Sequence, residues 1–201
     1  MRTRRVVLSL LALGLVATGS SATAATKPKP PPPVCNLMTD EPGDGHDQTL
    51  KPVSSPTLDI VGGDVATGKK TIVSVLRVKS TTVAGDKVAE RGIHWQAQVT
   101  VGPKQINFDR HVTTNFVSGA QTIDDSFTVT GVTVDPKVLK VTMNATEIRW
   151  TIPRSAVPGL KAKASFTGIG GFTRDFWGAA DNGVSLTRNY VDLTPSCLKP
   201  A

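Results

Sequence analysis

The sequence predicts an all-β fold, a two-layer antiparallel β-sandwich of about eight to ten strands, and three observations carry that expectation. From residue 57 to 191 the dominant side-chain period is two, the repeat of a strand with one dry and one wet face. No window of about 12 residues or more shows the 3.6 period of an amphipathic helix. Thr and Val are abundant where Leu, Glu and Gln would favour helices. A sheet with one apolar face needs a second sheet to cover it, so two layers are the economical arrangement.

The strands follow in order. In 71–78, Ile72, Leu76 and Val78 interleave with Thr71, Val73, Val75 and Arg77; both faces are largely apolar, which places this strand centrally in its sheet. Ile93, Trp95, Ala97, Val99 and Val101 alternate with His94, Gln96, Gln98 and Thr100. Ile106 and Phe108 alternate with Gln105, Asn107 and Asp109, and Ile148, Trp150 and Ile152 with Glu147, Arg149 and Thr151. Leu160, Ala162, Ala164 and Phe166 repeat the pattern against Lys161, Lys163, Ser165 and Thr167. Near Gly131 the apolar set slips by one, from Phe127 and Val129 to Val132 and Val134, the sign of a bulge or a turn between strands. Pro153, Pro158-Gly159 and Gly170-Gly171 read as further punctuation.

Ahead of this region the chain divides into an expected signal peptide (1–24), a proline-rich linker (25–34) and a single domain (35–201). Arg2, Arg4 and Arg5 form a basic start, Val6 to Val16 is an apolar run broken by Ser9 and Gly14, and Ala22-Thr23-Ala24 supplies small residues for cleavage after Ala24 or Ala25. The apolar run is too short to anchor the chain across about 30 Å of hydrocarbon. The general secretory route is expected, although Thr3-Arg4-Arg5-Val6-Val7-Leu8 resembles a loose twin-arginine motif. The predicted outcome is a secreted, extracellular protein with no membrane anchor after cleavage. Pro28 and Pro30 to Pro33 fix φ and remove backbone donors, so the linker reads as a stiff polyproline II spacer. Cys35 and Cys197 open and close the domain; in an exported chain they read as a disulfide rather than a metal pair.

The formal charge of +7 argues less for nucleic acid than it first suggests. Residues 1–34 hold five basic groups and no acids, leaving 18 basic against 16 acidic groups beyond them. A net of +2 is no phosphate-binding excess, so no nucleic-acid partner is expected.

Asp40-Glu41-Pro42-Gly43-Asp44-Gly45, Leu58-Asp59-Ile60-Val61-Gly62-Gly63-Asp64-Val65 leading into a Val-rich strand, Trp150-Thr151-Ile152-Pro153-Arg154-Ser155 and the terminal Thr194-Pro195-Ser196-Cys197 resemble uncharacterised secreted actinobacterial proteins. Those in turn resemble DOMON and family 9 carbohydrate-binding-module sandwiches. The resemblance implies a jelly-roll-like sandwich and extracellular ligand binding, with a carbohydrate-binding-like role; fold analogy alone does not assign function.

Several residues could carry chemistry. Asp40, Glu41, Asp44 and Asp47 put four carboxylates on a glycine-bent segment, with Asp59 and Asp64 as partners from the next; hard oxygen donors on a flexible turn suit Ca²⁺, and the competing reading is a solvated acidic turn. Trp95, Trp150, Trp177 and Tyr190 are the candidates for a sugar-stacking platform; Trp95 and Trp150 sit on apolar strand faces and read as core, whereas Trp177 lies in a loop between Arg174-Asp175 and Gly178, where its ring could stack on a sugar or cap the core. His46, His94 and His111 lack paired spacing, which argues against catalytic zinc. Met38 and Met143 have no context that suggests haem ligation. Ile60-Val61-Gly62-Gly63 mimics an activated trypsin-like N-terminus, but no matching nucleophile segment or Gly-x-Ser-x-Gly elbow exists. Asn144-Ala145-Thr146 fits a glycosylation sequon, which a bacterial source would leave unmodified.

The expected function is a non-enzymatic extracellular domain that binds a cell-wall, glycan or protein partner. The alternatives are a purely structural secreted protein without a discrete ligand, or a carboxylate-dependent hydrolase using acids such as Asp124 and Asp125.

Overall fold

The computed structural model describes residues 35–160, 166–185 and 197–198; the expected leader and linker, residues 161–165 and Tyr190 lie outside them. Among the described residues, ten strands form two antiparallel sheets. The four-stranded sheet has the order β1-β2-β8-β7, with β1 at Ile60–Thr67, β2 at Thr71–Val78, β7 at Lys140–Met143 and β8 at Glu147–Pro153. The six-stranded sheet has the order β10-β9-β3-β4-β5-β6. Its members are β3 (Gly92–Val101), β4 (Lys104–Thr114), β5 (Gln121–Val129), β6 (Val132–Thr133), β9 (Phe166–Asp175) and β10 (Ala180–Ser185). Two 3₁₀ turns, Pro136–Val138 and Arg154–Ala156, are the helical segments among the described residues, so none there is long and apolar enough to cross a membrane.

The core lies between the inner faces. Trp95, Phe108 and Phe127 from the larger sheet meet Ile72, Leu76, Ile148 and Trp150 from the smaller one, and the Phe108 and Trp150 rings are stacked 6.3 Å apart. Both tryptophans are fully buried, as their strand positions predict, and the Trp95 indole N–H donates to the Thr57 carbonyl at 2.8 Å. β2 sits between β1 and β8, the central position its two apolar faces predict. Its outward Val73 and Val75 pack with Ala66 beneath Leu198 of the C-terminal segment, which explains why that face is also dry.

The slip at Gly131 is a two-residue hairpin turn. Thr130 (φ 51°) and Gly131 (φ 79°) join β5 to β6, two positive φ angles of the kind a type I′ turn requires. The expectation for Gly170-Gly171 is corrected: both lie inside β9 rather than in a turn. A Cβ on Gly171 would fall 2.6 Å from Leu76 Cδ1 and 2.8 Å from Met38 Cε, so glycine is there to let the second layer approach. The strand expected over 160–167 is described from Phe166 onward.

The N-terminal segment bridges both sheets on one side. Met38 exchanges two backbone hydrogen bonds of 3.0 Å with Gly63 of β1, and His46 exchanges bonds of 3.0 and 2.9 Å with Ala180 of β10. Two edges that would otherwise expose unpaired backbone are thereby covered. The expected disulfide is present: Cys35 and Cys197 are joined, their Cα atoms 5.8 Å apart.

Candidate functional site

Three groupings of side chains could meet a ligand. The first is at the end of the larger sheet where β3 starts and β4 and β9 finish; there Gly92 pairs with Thr113, and Ile93 with Asp175. The β4–β5 loop presents Phe116 (63 % exposed) and Val117 (97 %), and the β9–β10 loop presents Phe176 (61 %) and Trp177 (54 %). Large apolar side chains concentrated on two adjacent loops are a departure from scattered exposure. The Arg91 guanidinium lies over the Phe116 ring at 3.8 Å and over the Trp177 ring at 4.5 Å, linking the loops. Phe176 meets Trp177 edge-on at 5.3 Å, and Gln48 Nε2 donates to the Trp177 carbonyl at 2.9 Å. Trp177 is thus an exposed ring on an anchored loop and does not cap the core.

The second grouping lies on the wet face of the same sheet. His94 on β3 is directly opposite His111 on β4, their rings stacked at 3.9 Å. His94 Nε2 and Asp109 Oδ1 are 2.8 Å apart, and Gln96 Nε2 donates to the same oxygen at 2.7 Å. Burial works against the charge of Asp109, but the bonds from His94 and Gln96 outweigh it and hold the carboxyl below its usual range. The ligand atoms of His94, Asp109 and His111 all lie within 4.8 Å of one another. Farther along this face is a groove of about 480 Å³ lined by Gln96, Gln98, Thr100, Phe172 and Asn182, with Gly168 and Gly170 leaving its floor open.

The third grouping is acidic, and it joins two residues of the expected calcium set to one from outside that set. Asp40 and Asp44 converge with Asp181, the second residue of β10, their carboxylate oxygens within 4.8 Å. Asp181 is 2 % exposed and accepts from the Ile60 N–H at 2.8 Å. Burial, then the neighbouring Asp181 and Asp44, pushes the Asp40 carboxyl up to about 7, and burial foremost raises Asp181 to about 6. Asp40 Oδ2 is buried without a hydrogen-bond partner.

The remaining predicted ligands are not gathered there. Asp47 closes its own turn, accepting from the Thr49 and Lys51 backbone N–H groups. Asp59 pairs with Lys79 at 2.6 Å, and Glu41 is exposed. Asp64 is fully buried, pairs with Arg77 and accepts the backbone N–H groups of Asn36 and Leu37. A Cβ on Gly62 would lie 2.8 Å from Asn36 Oδ1, so Gly62-Gly63-Asp64 is the seat of the N-terminal segment. Asp124 and Asp125 project to opposite faces of β5: Asp124 is opposite His111, whereas Asp125 lies 3.5 Å from Arg110. They do not face a common substrate position. Met38 is buried in the core and Met143 is exposed on β7.

Comparison with protein-family models, with curated proteins and with solved structures gives no match for this chain.

Proposed function

We propose that this chain is an exported, non-enzymatic domain that binds a cell-wall glycan or another extracellular partner through its aromatic end. The observation that carries this reading is the exposed Phe116, Val117, Phe176 and Trp177 set, ordered by Arg91 and Gln48. Stiff aromatic side chains lose little entropy on contact and offer flat apolar faces beside a cation, which suits the alternating apolar and hydroxyl surfaces of a sugar. The disulfide is compatible with an oxidising compartment. The leader-like sequence at 1–24 and the proline spacer at 25–34 support export to the cell exterior. The motif-level likeness to DOMON and family 9 carbohydrate-binding-module domains supports ligand binding in the same direction. A Ca²⁺ held by Asp40, Asp44 and Asp181 would stiffen the segment leading to Gln48, which braces Trp177.

The test is retention of the mature protein on purified cell wall and on a panel of polysaccharide columns, with Trp177→Ala as the variant. Retention weakened by the substitution, with circular dichroism and melting unchanged, is the expected result. No retention of the unaltered protein on any matrix would favour the purely structural alternative.

A further inference from the structure

The sandwich core accounts for the inward half of β3 and β4, but not for the two histidines and the aspartate stacked on their outward half. We propose that His94, Asp109 and His111 form a binding site for one divalent transition-metal ion of the Zn²⁺ class. The geometry starts from the hairpin. Gly102 (φ 54°) and Pro103 make a two-residue turn, and the register from it sets His94 opposite His111 and Gln96 opposite Asp109. Residues opposed on one face of an antiparallel pair have Cβ atoms about 5 Å apart, short enough for two imidazoles to reach one ion.

The donors match that ion class. Two imidazole nitrogens and one carboxylate oxygen are ligands for Zn²⁺, Cu²⁺ or Ni²⁺ rather than for Ca²⁺ or Mg²⁺, which select oxygen. Tetrahedral zinc with bonds of about 2.0–2.1 Å sets its donors about 3.4 Å apart. The three donors here are already within 4.8 Å, so side-chain rotation suffices and no strand has to move. His111 has to turn out of the parallel stack to aim its lone pair, and its exposed position leaves room for that. His94 Nε2 and Asp109 Oδ1 lie 2.8 Å apart, and an ion held by both atoms takes the place of the hydrogen bond between them.

The surroundings supply a second layer. Gln96 Nε2 holds Asp109 Oδ1 from the side, fixing the carboxylate plane. Asp124, opposite His111 on β5, adds a second negative charge within reach, so that two carboxylates balance a dication. Arg174, opposite His94 on β9, is the opposing cation. Three protein donors leave a coordination position open toward solvent.

The experiment titrates the mature, disulfide-bonded protein, free of any histidine tag, with Zn²⁺ by calorimetry and with Co²⁺ by visible absorption. One equivalent binding with Kd below about 10 μM is expected. Co²⁺ should show the intense visible bands of a four- or five-coordinate site. His111→Ala, and separately Asp109→Asn, should weaken binding at least tenfold. The double variant His94→Ala/His111→Ala should abolish the bands while far-ultraviolet circular dichroism stays unchanged; His46→Ala should leave the titration intact. Absence of binding by the unaltered protein overturns the proposal, as does a titration that survives His94→Ala/His111→Ala or is lost with His46→Ala. Should the double variant fail to fold, the exposed single variant His111→Ala decides by the same criteria.

Discussion

Removal of the Cys35–Cys197 bridge by Cys35→Ser/Cys197→Ser should cost stability mainly by freeing the unfolded chain. The cysteines are 162 residues apart, and the loop-entropy relation for that separation gives about 5 kcal/mol at 25 °C. Native contacts should be little changed, because Cys197 is exposed and Cys35 partly exposed. Met38 remains in the core, and the Asn36 and Leu37 N–H groups still bond to Asp64. At about 2–4 °C per kcal/mol for a domain of this size, the melting temperature should fall by about 10–20 °C. Urea unfolding followed by circular dichroism separates the causes: a freed unfolded chain exposes more surface, so the m-value should rise as the midpoint falls. A loss below about 1 kcal/mol with unchanged m would refute the reasoning, since the constraint would then not act on the unfolded ensemble.

Two further outcomes follow from the site and the core. Asp40 and Asp181 carry folded-state pKa values of about 7 and about 6, above their ordinary value of 3.8. The folded protein therefore binds protons that the unfolded chain has released, so this contribution is full below about pH 4 and is lost as pH rises through 6 to 7. The melting temperature of the unaltered protein should fall more steeply from pH 5 to 8 than that of Asp40→Asn, the histidines being common to both, and added Ca²⁺ should flatten the difference if the triad takes the ion; parallel curves would rule out the carboxylate repulsion. Gly171→Ala should cost about 1–3 kcal/mol in denaturant melts, because its Cβ would meet Leu76 and Met38; a neutral effect would mean that the two layers separate easily there.

Much of the fold was legible because alternation is a local signal. Trp95 and Trp150 share a strand face with other apolar residues, and that alone places them inside. Gly170-Gly171 misled for a complementary reason: glycine marks a turn by freedom of φ, but here it marks a close approach of a distant layer, which no local pattern carries. Part of the second-face site was readable in principle. Counting outward from the Gly102-Pro103 turn brings His94 opposite His111, although 17 residues of linear separation hide them from a search for ligand spacing. Asp181 was not readable, because the β10–β9 pairing and the N-terminal segment together carry it to Asp40 and Asp44 from the far end of the chain. Likewise Asp59 and Asp64 read as calcium ligands by composition, while Lys79 and Arg77, supplied by strand pairing, already neutralise them.

By itself, the amino-acid order determined the sheet-forming periodicity, the inward tryptophans and the cysteine pair, since these depend on neighbours one or two residues away or on the absence of any other thiol. Tertiary structure alone decided which carboxylates meet, which are spoken for by a cation, and which aromatic loops share an arginine. Those outcomes depend on register and layer order, which bring together groups from 13 residues apart, as in Asp64 and Arg77, to 121 apart, as in Ile60 and Asp181, and are set by the packing of the whole domain rather than by any one segment.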